Sequence, residues 1–146
     1  MFDSYEGLPL PTNIDGIQKP IRHSTRNGSD LAQGYCLGTY KEVEDWMFPT
    51  LKLSRYSVFM IKGWFQDILP EYRTRVGNIA VLRIDCDWYE STKCCLENLY
   101  GNVVKGGYII IDDYNLQGCK KAVDEFITDK EVKITLDVNK RAYWRK

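Results

Sequence analysis

Two apolar, β-rich runs that each end in a pair of acids constrain this chain more than any other feature. Asn78–Ile84 runs into Asp85-Cys86-Asp87, and Tyr108–Ile111 runs into Asp112-Asp113. Between them lies a helical stretch carrying Leu96 and Leu99. Strands alternating with helices predict an α/β fold with βαβ units and a mainly parallel sheet. The crossover makes both strands parallel, so their carboxyl ends lie on one edge. Neighbouring strands sit about 4.8 Å apart. Asp85 and Asp112-Asp113 are therefore expected to converge, on the side where open α/β sheets bind ligands.

The remaining chain fits that frame. Residues 1–38 are broken by Pro9, Pro11 and Pro20 and by Gly7, Gly16, Gly28 and Gly34, and read as loop. Thr39-x-x-Glu42 is a capping box opening a helix that Pro49 closes. Ser57–Lys62 reads as a buried strand closed by Gly63, and Trp64–Leu69 as a short helix or turn stopped by Pro70. Ser91 or Thr92 is the expected cap of the next helix. Gly106-Gly107 reads as the turn into the strand that ends in Asp112. A helix over Gly118–Thr128 and strands at Lys133–Leu136 and Arg141–Arg145 complete one domain over residues 1–146.

Clustered carboxylates repel, and need either counter-charge or raised pKa values. A hard divalent cation answers that need with oxygen ligands, and Mg²⁺ suits the donor type. Such an ion lowers the pKa of a hydroxyl it holds, and a further carboxylate can take the proton. Asp after a strand is also a common cap or turn former, so spacing alone leaves both readings open.

Five segments resemble one family, the macrocin/mycinamicin-type deoxysugar O-methyltransferases. Asp3-Ser4-Tyr5-Glu6-Gly7-Leu8-Pro9 resembles its D-S-F-E-G-L-P. The stretch from Lys62-Gly63-Trp64-Phe65 to Pro70 resembles K-G-W-F-x-D-T-L-P, and Arg83–Thr92 resembles R-L-D-G-D-x-Y-E-S-T. Gly106–Tyr114 resembles G-G-Y-x-x-x-D-D-Y, and Tyr143-Trp144-Arg145 the closing strand. The resemblance implies a Rossmann-like, class I fold using S-adenosylmethionine and Mg²⁺. It implies Asp85, Asp112 and Asp113 as metal ligands and Asp87 as general base. It places Asp3 and Ser4 at the cofactor ribose, and Gly63 and Trp64 near the adenine. Tyr5, Ile68 and Cys86 depart from the family's Phe, Thr and Gly.

The family has a first strand, a Gly-rich methionine-binding loop, a helix and a second strand before its D-S-F-E-G-L-P. Here only two residues precede that motif. The expectation is thus a carboxy-terminal portion of one methyltransferase domain, its sheet lacking the first two strands and the Gly-rich loop. Ser57–Lys62 would then have no regular neighbour, and S-adenosylmethionine would bind this polypeptide weakly. Two rival functions follow from the same residues. One is a truncated, inactive remnant or interaction module. The other is a metal-dependent glycosyltransferase, since D-x-D can hold a nucleotide-sugar diphosphate through a metal.

Composition narrows the partners. Twenty basic residues balance twenty acidic ones without a basic stripe, which argues against nucleic acid. Val58–Ile61 and Tyr108–Ile111 are far too short to span a bilayer, and the amino terminus has no signal-peptide pattern. Five cysteines without a C-x-x-C pair read as free thiols in a reducing cytoplasm. A small-molecule sugar hydroxyl is the expected acceptor, with room for a homo-oligomer. His23 reads as a solvated loop residue, Arg83 as structural or paired with a nearby acid. Tyr89, Tyr108 and Tyr114 read as packing residues or as the wall of a sugar pocket.

Overall fold

A computed structural model describes residues 1–16 and 34–146; the loop reading of the intervening stretch, His23 included, lies outside the described residues. Strands β1 (Phe2–Asp3) and β2 (Ile61–Lys62) form a parallel pair. The second sheet has the order β3-β4-β6-β5, from Ile79–Ile84, Val103–Ile111, Ala142–Arg145 and Thr135–Leu136. β3 and β4 are parallel, and β6 runs antiparallel to both β4 and β5. The pairing that sets the two acid-bearing strand ends side by side, β3 with β4, is therefore parallel, as the βαβ argument requires.

Helices α1 (Tyr40–Asp45), α2 (Phe65–Tyr72), α3 (Tyr89–Leu99) and α4 (Gln117–Ile127) connect the strands. The core lies between the second sheet and α2, α3 and α4. Leu82, Ile84, Ile109 and Ile111 meet Leu69, Leu96, Cys119 and Val123 there. At about 25 cal/mol per Å² of apolar surface, this layer is the main favourable term holding β3 and β4 in place.

Several boundaries differ from the sequence reading, each for a physical reason. Ser57–Lys62 shrinks to Ile61–Lys62, because Ser57 closes a hydrogen-bonded turn onto Ser54. That strand does have a neighbour: Ile61 N donates to Met1 O and Gly63 N to Asp3 O, both at 2.9 Å. Gly106-Gly107 lies inside β4, where the pairing with β3 shifts register between Ile79 and Val81. Pro49 sits within a wide π-type turn over Trp46–Thr50, and Pro70 within α2, so neither ends its helix. β3 is half-buried: Leu82 and Ile84 face the core while Val81 and Arg83 face outward.

Ser91 and Thr92 do not cap α3; both are buried inside it. The cap comes from 74 residues away. Asp15 Oδ1 accepts the Tyr89 backbone N–H at 2.8 Å, and Asp15 Oδ2 accepts the Thr12 N–H at 2.7 Å. Gly118 makes this possible, because a Cβ there would lie 1.9 Å from Asp15 Oδ1. A buried carboxylate serving two backbone donors is costly to lose. Asp15→Ala is expected to cost about 2–4 kcal/mol, read as a lowered denaturation midpoint with unchanged slope.

The two sheets are not joined. Among the described residues nothing pairs with the free edge of β3 or the second edge of β1. A groove of about 470 Å³ runs between them, lined by Met1, Phe2, Phe65, Val81, Leu82 and Ile84. Met1 and Ile79 line only this groove, Asp3 and Asp85 line both it and a second cleft, and Ser4 and Asp87 line only the cleft. β1 and β3 therefore run in the same direction, and both deliver their carboxyl ends to one place.

Candidate functional site

That place is a cleft of about 420 Å³ whose lining includes Asp3, Ser4, Trp64, Asp85, Asp87 and Asp113. β3 ends at Ile84, so Asp85 is its first residue beyond the ladder. β4 ends at Ile111, and the Asp112 N–H still donates to Ile84 O at 2.9 Å. This last rung fixes the two acid pairs side by side. One carboxylate oxygen each from Asp85, Asp112 and Asp113 lies within 4.8 Å of the others. Around an octahedral Mg²⁺, with oxygens at 2.0–2.1 Å, adjacent ligands are about 2.9 Å and opposite ones about 4.2 Å apart. The three side chains would therefore close by up to about 2 Å to share one ion.

The charge balance of the cluster is incomplete. Arg83 Nη2 lies 2.8 Å from Asp85 Oδ2 and 3.1 Å from Asp112 Oδ1, and Arg141 Nη1 lies 3.7 Å from Asp112 Oδ1. Asp112 Oδ1 is buried, with the two guanidinium groups as its charged partners. Among the described residues Asp87 and Asp113 have no cation of their own. Burial, then repulsion from Asp85 and Asp112, raises the Asp87 carboxyl from 3.8 to about 6. Burial, then repulsion from Asp87 and Asp85, raises Asp113 to about 7. A set of four close carboxylates, two of them pushed up by burial and mutual repulsion, fits a hard divalent cation.

Asp87 is held by its backbone. Its φ is +58°, in the left-handed region, and Trp88 N donates to Cys86 O at 2.6 Å. The Asp87 N–H reaches Asp113 Oδ2 at 3.3 Å, and Trp88 Nε1 donates to Pro9 O at 2.9 Å. The tight loop after β3 is thus tied to the loop after β4 and to the segment after β1. A non-glycine residue at positive φ is uncommon and concentrates where a side chain must be aimed.

On the other side of the cleft, Asp3 ends β1 and its Oδ1 accepts the Tyr5 N–H, while Oδ2 has no hydrogen-bond partner among the described residues. The Ser4 hydroxyl donates to Gly7 O at 3.3 Å and accepts the Glu6 N–H at 3.1 Å, so it shapes the turn. Trp64 faces the cleft, whereas Gly63 sits behind it against α2. A Cβ on Gly63 would meet Ile68 Cγ2 at 2.5 Å, and its φ is +152°. Gly63→Ala is expected to destabilise by about 1–3 kcal/mol, seen as a lower melting temperature.

Arg83 bridges two acids of the cluster, the ion-pair alternative of its sequence reading. Two residues carry more of the site than the sequence reading assigned. Cys36 lines the cleft beside the acids, and Asp15 supports it through α3; neither had a local signal. Tyr89 and Tyr114 turn away from the cleft. Their hydroxyls bond Glu125 at 2.7 Å and Asp124 at 2.6 Å on α4. Tyr108 is 43% exposed on the sheet. Among the described residues no helix is long and apolar enough to cross a membrane.

Comparison with known proteins gives a consistent picture. Residues 1–146 match the family model described as Macrocin-O-methyltransferase (TylF). Demethyldecarbamoylnovobiocin O-methyltransferase of Streptomyces niveus is 43% identical, over 99% of this chain and 53% of its own length. The 8-demethyl-8-(2,3-dimethoxy-alpha-L-rhamnosyl)-tetracenomycin-C 4'-O-methyltransferase of Streptomyces olivaceus is 35% identical over 85% of this chain and 44% of its own. The solved O-methyltransferase NovP superposes with a TM-score of 0.75 at 32% identity, over 99% of this chain and 58% of that one. The chain thus spans about half the length of the curated relatives it matches. The likeness extends the α/β reading to the class I methyltransferase fold.

Proposed function

We propose that this chain, which belongs to the macrocin-O-methyltransferase (TylF) family, serves Mg²⁺-dependent methyl transfer from S-adenosylmethionine to a hydroxyl of a sugar or glycosylated small molecule. Residues 1–146 would correspond to the carboxy-terminal portion of one such methyltransferase domain. The observation that carries the proposal is the convergence of Asp85, Asp112 and Asp113 at the cleft that Asp85, Asp113, Asp3 and Trp64 line. Relatives with O-methyltransferase names, one of them for a rhamnosyl compound, support the acceptor class. Five free thiols support a reducing, cytoplasmic setting.

Bound in the cleft, S-adenosylmethionine supplies an electrophilic methyl group and the cation supplies the charge that acidifies a hydroxyl. Asp85, Asp112 and Asp113 would hold the cation, and Arg83 would keep two of these carboxylates in register before it arrives. Asp87, raised to about 6, accepts the acceptor's hydroxyl proton at a carboxylate oxygen. Asp3 would hold the ribose through its second oxygen, with Ser4 fixing the turn that aims it. Trp64 would form the adenine wall, and Gly63, expected from the resemblance to share it, would instead shape the turn behind that wall. Aligning oxygen and methyl group in near-attack geometry supplies much of the rate.

The test is a calorimetric Mg²⁺ titration of the parent and of Asp85→Ala. One-to-one binding that disappears in the variant is expected. Binding unchanged by the substitution would remove the metal role from Asp85.

A further inference from the structure

The loop that carries Asp85 and Asp87 holds a thiol between them, and a second thiol waits beside it. Cys86 Sγ lies 3.6 Å from Cys95 Sγ on α3. Both side chains are buried, at 7% and 5% exposure, and both line the groove between β1 and β3. Neither is in a disulfide. We propose that Cys86 and Cys95 form a modification site: a dithiol that a small hydroperoxide entering the groove converts to an intramolecular disulfide, weakening cation binding at the adjacent acids.

The geometry is close to what the bond needs. Disulfide sulfurs sit about 2.05 Å apart, so the pair must close from 3.6 Å. Cys86 and Cys95 belong to one core cluster with Leu96 and Leu99, so closing the gap draws the strand-end loop and α3 together. The chemistry balances. One thiol sulfur attacks the peroxide O–O bond and becomes a sulfenic acid, releasing water or an alcohol. The second sulfur displaces the sulfenic oxygen as water. Two S–H bonds break, one S–S bond forms, and two electrons pass to the peroxide.

The consequence follows from position. Cys86 is covalently between Asp85 and Asp87, and its carbonyl accepts the Trp88 N–H that closes the loop. Drawing its sulfur toward α3 shifts both carboxylates. Mg²⁺ demands nearly ideal octahedral geometry at short distances, so a shift of this size disfavours it. This last step rests on the metal reading above; formation of the bond does not.

Peptide mapping and calorimetry separate the two parts. The chain is treated with hydrogen peroxide, denatured and alkylated, then digested with trypsin. Cys86 falls in peptide Ile84–Lys93 and Cys95 in Cys94–Lys105. A Cys94→Ser variant removes the ambiguity within the second peptide. Expected is a dithiothreitol-reversible link between the two peptides, with alkylatable thiols falling by two, from five to three in the parent chain. Cys86→Ser and Cys95→Ser should each abolish the link. If either variant fails to fold, crosslinking of the parent by phenylarsine oxide, which bridges paired thiols, gives the same information. Full alkylation of Cys86 and Cys95 after peroxide, or a link from Cys86 to Cys119 instead, overturns the site. Mg²⁺ affinity is expected to fall at least tenfold in the oxidised chain and to recover on reduction. An oxidised chain that carries the link and binds Mg²⁺ as before overturns the coupling while leaving the bond. If the reduced chain binds no Mg²⁺, the metal reading fails and the coupling with it, and the mapping alone decides the site.

Discussion

Freed of metal, the Asp113→Asn protein is expected to melt above the parent at pH 8 and yet to bind Mg²⁺ about a hundredfold more weakly. The two effects have one cause. Asp113 is half-buried beside Asp87 and Asp85, which push its carboxyl from 3.8 to about 7. At pH 8 the metal-free fold must hold that charge against its neighbours, and asparagine removes the repulsion at nearly equal size. Solvent screens a partly open site, so the gain is about 1 kcal/mol, well short of what the shift implies at full burial. That corresponds to about 3–6 °C in melting temperature for a chain of this size. Metal binding moves the other way, because a carboxylate ligand is lost; outer-shell partners alone are worth 10–100-fold. Differential scanning with and without Mg²⁺ reads both quantities. A variant that loses stability in the metal-free state would contradict the repulsion argument, and one that keeps its affinity would remove Asp113 from the ligand set.

Mg²⁺ binding should also collapse as the solution is acidified. A cation must displace the proton from Asp113 before it can bind there. With that carboxyl at about 7, affinity relative to pH 8 is expected to drop about tenfold at pH 6 and about a hundredfold at pH 5. Asp87, at about 6, adds repulsion relief over the same range. The stability of the metal-free chain has the opposite slope. Both carboxyls are raised above their unfolded values. Their contribution is therefore fully present below about pH 4 and is lost as pH rises through about 6 and 7. Calorimetry across pH 5–8 checks the affinity, and thermal scans of the metal-free chain check the sign of the stability term. A flat affinity profile would mean that Asp113 is not a ligand.

Much of the site was legible because it rests on local rules. A strand that ends in an acid is read from the abrupt change at Ile84-Asp85 and at Ile111-Asp112, and the right-handed crossover then makes convergence unavoidable. The capping box at Thr39 and Glu42 forms as the spacing requires, with Thr39 N donating to Glu42 Oε2 at 3.0 Å. The features that the sequence does not show depend on partners far apart along the chain. The α3 cap was assigned to Ser91 or Thr92, because nothing near residue 89 announces that Asp15 will arrive there. The neighbour of Ile61–Lys62 was missed because a two-residue strand at Phe2–Asp3 has no periodicity to detect. Tyr89 and Tyr114 could face a pocket or a helix on sequence grounds, and only the position of Glu125 and Asp124 on α4 turned them away.

By itself, then, the sequence determined the α/β alternation, the family, and the four acids that meet at the strand ends. These follow from apolar period, turn residues and motif order, all short-range along the chain. Tertiary structure alone decided how those acids are charged and held. Arg83 balances Asp85 and Asp112, Asp87 and Asp113 are left to repel each other, and Cys86 lies against Cys95. Electrostatic energy and thiol chemistry depend on distances of a few ångströms between side chains, and those distances are set only when the sheets and helices pack.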